Sequence, residues 1–302
     1  MCGLFGFVRY GTIIQNLSDI TNSLAQQSAI RGTDATGIAF NEEKLKIVKD
    51  GKSAYEMHFK HGDNICALIG HTRHSTQGSE RKKCNNHPFP GKVSGLSFAL
   101  AHNGVLSNDE ILRKTLNLPK TKIETDSYIA AQLLMSGKKL DFDSLRYMAE
   151  TVHGSFSFSI LDGKDNLYLV KEDSPLHILH FPKSQIYVYA STEAILFKAL
   201  VDTPLFREAK KGDYEELSVQ EGEILKISPD GMEERSHFHF SNYNMRNWWE
   251  CGLYECQDDI TAEYMNDLKL IASFQGVSSE DVDELIAEGF SLMEIEEYLY
   301  GM

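Results

Sequence analysis

The chain opens with "MCGLFGFVRY" (residues 1–10). Leu4, Phe5, Phe7 and Val8 make a short, nearly continuous apolar run. Such a run fits a strand buried on both faces, so residues 2–8 are read as one. Cys2 stands directly in front of it. The thiol is either an accident of a strand that begins the protein, or Met1 is removed and Cys2 becomes the first residue. In the second case one residue carries both a thiol and a free α-amine, a pairing that activates a nucleophile without a histidine.

Working outward from this strand, the β signal recurs in short pieces: "TGIAF", "LKIVKDG", "CALIGHTR", "LSFALAHNG", "GSFSFSILDG", "NLYLVKED", "HILHF", "QIYVYAST" and "GEILKISPDG". In "GSFSFSIL", Phe156, Phe158 and Ile160 alternate with serines at the period of a strand. Helices are fewer. Ser18 is expected to cap one that carries Ile20 and Leu24 and ends before Arg31-Gly32. Two more are expected over about 126–136 and 143–152. Many short strands with few helices predict stacked sheets flanked by helices.

The chain has 302 residues, of which 42% are hydrophobic, enough for a sizeable core and about two domains. Five scattered cysteines do not suggest a disulfide framework, and a cytoplasmic setting would keep any catalytic thiol free. No secretory signal or membrane-spanning run is legible. The net charge of −14 is lopsided: Glu250 to Met302 holds 14 acidic residues and one basic residue, Lys269. The rest is near neutral, which argues against a nucleic-acid-binding face. The composition break sets a domain boundary near residue 245. Beyond it, helices are expected over about 261–275, 279–288 and 292–300, with capping-box spacing at Ser278/Asp281 and Ser291/Glu294.

Four further segments stand out: "RGTDATG" (31–37), "GHTRHSTQG" (70–78), "HNG" (102–104) and "ETDSY" (124–128). Each alone has a bland reading. Asn103-Gly104 makes a good hairpin turn, Arg73 suits a surface ion pair, and Asp126 suits a helix N-terminus. Taken in order, and joined by "CGLFG", "NNHPF" (85–89), "HNGVLSN" and "TD" (125–126), they resemble the class II glutamine amidotransferase domain, an N-terminal-nucleophile hydrolase. "GSFSFSIL" and "ASTEAIL" fit that domain's later strands. The resemblance covers about residues 2–230.

The resemblance implies an α+β fold: a four-layer αββα sandwich over residues 2–240, followed here by a small all-α appendage at 245–302. It implies hydrolysis of the glutamine side-chain amide through a thioester on Cys2, with no cofactor and no metal. The α-amine of Cys2 would be the base; its reference pKa of roughly 7.7–8.0 suits proton transfer near neutral pH. The Asn103 side-chain amide and the Gly104 backbone N–H would stabilise the oxyanion. Arg73 would grip the substrate carboxylate, Asp126 its ammonium, and Thr76 would donate a hydroxyl hydrogen bond. Arg31 matches an arginine near the nucleophile. Two positions depart from the family pattern: Tyr128 follows "TDS" where Glu is frequent, and Gln77 stands where His is frequent. They leave open whether the best substrate is glutamine or another γ-glutamyl amide.

Other readings compete with this one. His71, His74, Cys84 and His87 could make a zinc set, but His71, His74 and His87 fall inside the amidotransferase motifs. Cys251 and Cys256 lack a second pair. Trp248 and Trp249 suit anchors for the tail, or a partner hot spot. The family's acceptor domains need far more chain than the residues after 245. The ammonia would therefore go to a separate synthetase docking on residues 245–302, or the protein would be a stand-alone amidohydrolase. A non-catalytic binding protein on the same scaffold is the third reading.

Overall fold

The computed structural model describes residues 2–239 except 202 and, beyond them, residues 265, 268, 269, 272, 277–287, 290, 295, 298 and 299. The chain divides into two compact units, Cys2–His239 and Phe240–Met302. In chain order the first unit runs β1 (Gly3–Arg9), α1 (Leu17–Ser28), β2 (Ala35–Asn41), β3 (Leu45–Asp50), β4 (Ala67–Arg73), β5 (Phe89–Val93), β6 (Leu96–Leu106) and α2 (Asp109–Thr115). It continues with α3 (Tyr128–Ser136), α4 (Phe142–Thr151), β7 (Gly154–Asp162), β8 (Leu167–Lys171), β9 (His177–Phe181), β10 (Ile186–Ala190), α5 (Glu193–Leu200), α6 (Phe206–Lys211), β11 (Glu215–Leu217), β12 (Glu223–Ile227) and β13 (Glu233–His237).

The strands form two antiparallel sheets. The first has the order β11-β9-β10-β1-β4-β2-β3, and the second β13-β12-β8-β7-β6-β5. The opening strand is buried along its whole length because it serves both faces of the first sheet. Phe5 and Phe7 point outward to Ile20 and Leu24 of α1 and Leu196 and Leu200 of α5. Leu4 and Val8 point inward, with Ala67 and Ile69 of β4, onto Ala99 and Ala101 of β6 and Leu169 of β8. On the far side of the second sheet α3 packs on β5 and α4 on β12; Tyr128 meets the Phe89 ring edge-on. These are the four layers of an αββα sandwich. Full burial of Phe5 or Phe7 contributes about 1.5–3 kcal/mol each.

Local chemistry explains most helix starts. Asp141 and Ser144 form a capping box at α4, and Thr192 Oγ1 accepts from Ile195 N at α5. The Ser18 cap is a correction. α1 begins at Leu17, and Asp63, from a distant loop, takes the Leu17 N–H at 2.9 Å; Ser18 Oγ donates instead to the His61 carbonyl. A carboxylate brought by tertiary structure outcompetes the local serine. "ASTEAIL" is a second correction: it is the end of β10 and the start of α5, since Thr192 turns the chain into a helix. The pattern reading also omitted α2, α6, β5, β11 and β13.

In the second unit, α7 (Ser279–Ala287) starts with the expected reciprocal cap. Ser278 N–H donates to Asp281 Oδ2 at 2.9 Å and Asp281 N–H to Ser278 Oγ at 3.1 Å. Val282 is fully buried with Leu268, Ala272, Ile295 and Leu299, which are themselves helical. Trp248, Trp249, Cys251, Cys256 and the Ser291/Glu294 spacing lie outside the described residues. Among the described residues no helix is long and apolar enough to cross a membrane.

Candidate active site

The period of two along each strand places the chemistry. On β1, Leu4 and Val8 face the second sheet, so Cys2, two residues before Leu4, has the same parity. On β4, Ala67 and Ile69 face inward, and His71 and Arg73 follow them. On β6, Ala99 and Ala101 face inward, and Asn103 follows. The register Gly3↔Thr72, carried one residue further, sets Cys2 opposite Arg73. The sheets are joined at this end by His71 Nε2, 2.9 Å from the His102 carbonyl. The ends of β1 and β4 and the interior of β6 thus converge on one end of the seam between the sheets.

The Cys2 thiol donates to the His74 carbonyl at 3.5 Å, and Arg31 Nε donates to the Cys2 carbonyl at 2.7 Å. Burial pushes the Cys2 thiol up from its ordinary range, against the pull of Arg73 and Arg31. A thiol held in its neutral form needs a base to become a nucleophile. Asp34 holds the strip beside it: its N–H donates to the Arg73 carbonyl at 3.0 Å and its Oδ2 accepts from Ser75 N at 2.7 Å. Gly32 is required there, because a Cβ would lie 2.4–2.6 Å from the Arg73–His74 peptide.

Asn103 is 3% exposed, and its Nδ2 is buried with no hydrogen-bond partner among the described residues. A buried orphan donor is costly and calls for an explanation. Gly104 has φ +129°, and a Cβ there would sit 2.0 Å from the Ser155 carbonyl oxygen. The pair lies inside an 11-residue strand and is no hairpin turn.

Arg73 is no surface ion pair: it is 3% exposed. Its Nη1 donates to Asn86 Oδ1 at 2.7 Å, and its Nη2 to the carbonyls of Gln77 and Gly78 at 2.6 and 2.8 Å. Asp126, 6% exposed, sits just before α3. Its Oδ2 accepts from Leu106 N at 2.6 Å, tying it to the strand that carries Asn103, and its Oδ1 accepts from Ser127 Oγ at 3.1 Å. Ser127 Oγ also lies 2.8 Å from His102 Nδ1. Thr76 is exposed on the loop after Arg73.

Asp34, Asn86 and Ser127 were present in the quoted motifs without an assigned role. The available signal was polarity: Asn86 and Ser127 are polar residues that fold into nearly full burial. The histidines show why the zinc pattern was tempting. His71 and His87 lie 4.0 Å apart between ring centroids with their planes tilted by 35°, neither ring nitrogen of His87 is bonded among the described residues, and burial holds both histidines, with His102, on the neutral side. Among the described residues no group of three or more His, Cys, Asp or Glu side chains could hold a metal ion.

No known family profile matches the chain. It is 32% identical over 189 residues to a glutamine–fructose-6-phosphate aminotransferase (isomerizing) of Streptococcus agalactiae, covering 59% of this chain and 30% of that protein. The corresponding protein of Staphylococcus epidermidis is 31% identical over 187 residues, covering 58% and 30%. The chain therefore spans under a third of the length of these relatives. Among solved structures, the glutamine phosphoribosylpyrophosphate amidotransferase of B. subtilis shares the fold with a TM-score of 0.62 at 23% identity, over 79% of this chain and 49% of that one. The inward parity of Cys2, Arg73 and Asn103, the αββα layers and the likeness to these relatives agree with the resemblance read from the sequence: the chain is similar to class II glutamine amidotransferase domains.

Proposed function

We propose that this domain is a cytoplasmic glutamine amidotransferase that hydrolyses the side-chain amide of glutamine to glutamate and ammonia, and that the ammonia passes to a separate acceptor enzyme. The observation that carries the reading is the buried Asn103 Nδ2, without a hydrogen-bond partner among the described residues, on the inner face of the second sheet toward which the strand parity of Cys2 also points. With Met1 removed, the α-amine of Cys2 takes the thiol proton and the sulfur attacks the γ-carbonyl carbon. The carbonyl oxygen becomes an oxyanion, met by Asn103 Nδ2 and the Gly104 N–H. Collapse breaks the C–N bond, and the protonated amine returns its proton to the leaving ammonia. Water, activated by the same amine, then hydrolyses the γ-glutamyl thioester. Arg73 grips the α-carboxylate, Asp126 the α-ammonium, and Thr76 donates its hydroxyl. Arg31 acts on the nucleophile, through the Cys2 carbonyl.

Glutamine-dependent ammonia release from methionine-free protein, lost on Cys2→Ala, is the expected result, with intact mass reporting the loss of Met1. Wild-type release from the alanine variant sinks the mechanism. Residues 245–302, with their acidic excess and own buried core, are the proposed docking segment for a synthetase. A pull-down with and without this segment should recover the synthetase only from the full chain; equal recovery removes the role.

A further inference from the structure

The two groups that would read the ends of an amino acid come from different parts of the fold. Arg73 ends β4 in the first sheet, while Asp126 precedes α3 and is tied by its carboxylate to β6 in the second. One residue touches both. The Gln77 main-chain carbonyl accepts from Arg73 Nη2 at 2.6 Å, and its side-chain Oε1 accepts from the Asp126 backbone N–H at 2.9 Å. Arg73 and Asp126 have no direct hydrogen bond of their own among the described residues; Gln77 is the strut between them. A glutamine suits this task because its amide oxygen is an acceptor that does not titrate, whereas a histidine offers an acceptor only from its unprotonated nitrogen.

We infer that Gln77 is a positioning residue that sets the separation between the carboxylate and ammonium subsites, and so selects amides whose α-carbon carries both groups free. This rests on the glutamine-hydrolase reading. With the Gln77 side chain removed, Arg73 keeps Asn86, Gly78 and the residue-77 carbonyl, and Asp126 keeps Leu106 and Ser127. Each subsite survives while their spacing loosens, so the penalty falls on ligands that must engage both.

The test compares L-glutamine with glutaramate, its analogue without the amino group, on the full chain and its Gln77→Ala and Gln77→Glu variants. For Gln77→Ala the expected result is a rise of about fivefold in KM for L-glutamine, with kcat within about twofold and the glutaramate KM moved less than about twofold. Gln77→Glu keeps an oxygen acceptor and restores the L-glutamine KM. Equal losses for both amides, or a loss confined to kcat and melting temperature, overturn the inference. Calorimetric binding of the same two ligands to Cys2→Ala and to Cys2→Ala/Gln77→Ala separates the two levels. A wild type that turns over neither amide defeats the proposed activity, while the binding ratio still decides the role of Gln77.

Discussion

The first sheet delivers its functional groups from strand ends, Cys2 before β1 and Arg73 at the close of β4, whereas the second delivers Asn103 and Gly104 from inside β6. Cys2 lies beyond the ladder and Arg73 is the last β4 residue in it, opposite Ala35, so further bonds hold these groups. Arg31 fixes the Cys2 carbonyl, Asp34 clasps Arg73 and Ser75, and Asn86 and the 77–78 carbonyls hold the Arg73 guanidinium. Asn103 needs no such anchors. The ladder to β7, with Asn103 opposite Ser157 and Gly104 opposite Phe156, already sets its backbone. Its side-chain amide N–H group makes no hydrogen bond among the described residues. The proposed nucleophile half of the site is held by added bonds at the strand ends, and the proposed oxyanion half by the sheet.

That contrast is broken most severely at Asn103. Asn103→Ala removes a donor that makes no hydrogen bond among the described residues, so kcat should fall about 10²–10³-fold while the melting temperature barely moves. Steady-state kinetics and thermal unfolding on one preparation would show it. A large loss of stability instead would mean that Nδ2 is a structural group. Gly104→Ala serves as the contrasting case and should lower both, because its Cβ meets the Ser155 carbonyl.

The nucleophile half should reveal itself in pH. Burial raises the Cys2 thiol, which stays protonated near neutrality, and the α-amine acts as base only when unprotonated. As pH falls below roughly 7.7, the protonated fraction grows and kcat/KM should drop close to tenfold per unit. A flat profile between about pH 6 and 8 would remove the amine from the mechanism.

The smallest effect is expected where the second sheet hands over to α3. Ser127→Ala takes one hydrogen bond from the Asp126 carboxylate and one from His102, but leaves the bond from Leu106 N. KM for glutamine should rise by about twofold to tenfold with kcat nearly unchanged. A fall in kcat matching that of Asn103→Ala would show that the two halves are coupled more tightly than their separate anchors suggest.

Much of this was legible in the chain. The all-apolar opening run announced a strand buried on both faces, because only a central strand of a covered sheet can bury consecutive side chains. The tail's Ser278/Asp281 spacing announced its cap, because a capping box is contained within four residues. The amidotransferase motifs named Cys2, Arg73, Asn103, Gly104 and Asp126. Local rules failed where the partner was remote: Asp63 rather than Ser18 caps α1, and Asn103-Gly104 runs through a strand where the dipeptide alone suggests a turn.

What residue order determined by itself, then, was which groups exist and which face of its strand each one takes, since period and motif are properties of neighbours along the chain. Only the tertiary structure decided that Arg73 is buried against Asn86, that Asp126 is tied to β6, that Gln77 spans the two, and that Asn103 Nδ2 has no partner among the described residues. Those facts depend on which segments meet across the two sheets, and a hydrogen bond over dozens of residues leaves no periodic trace in the sequence.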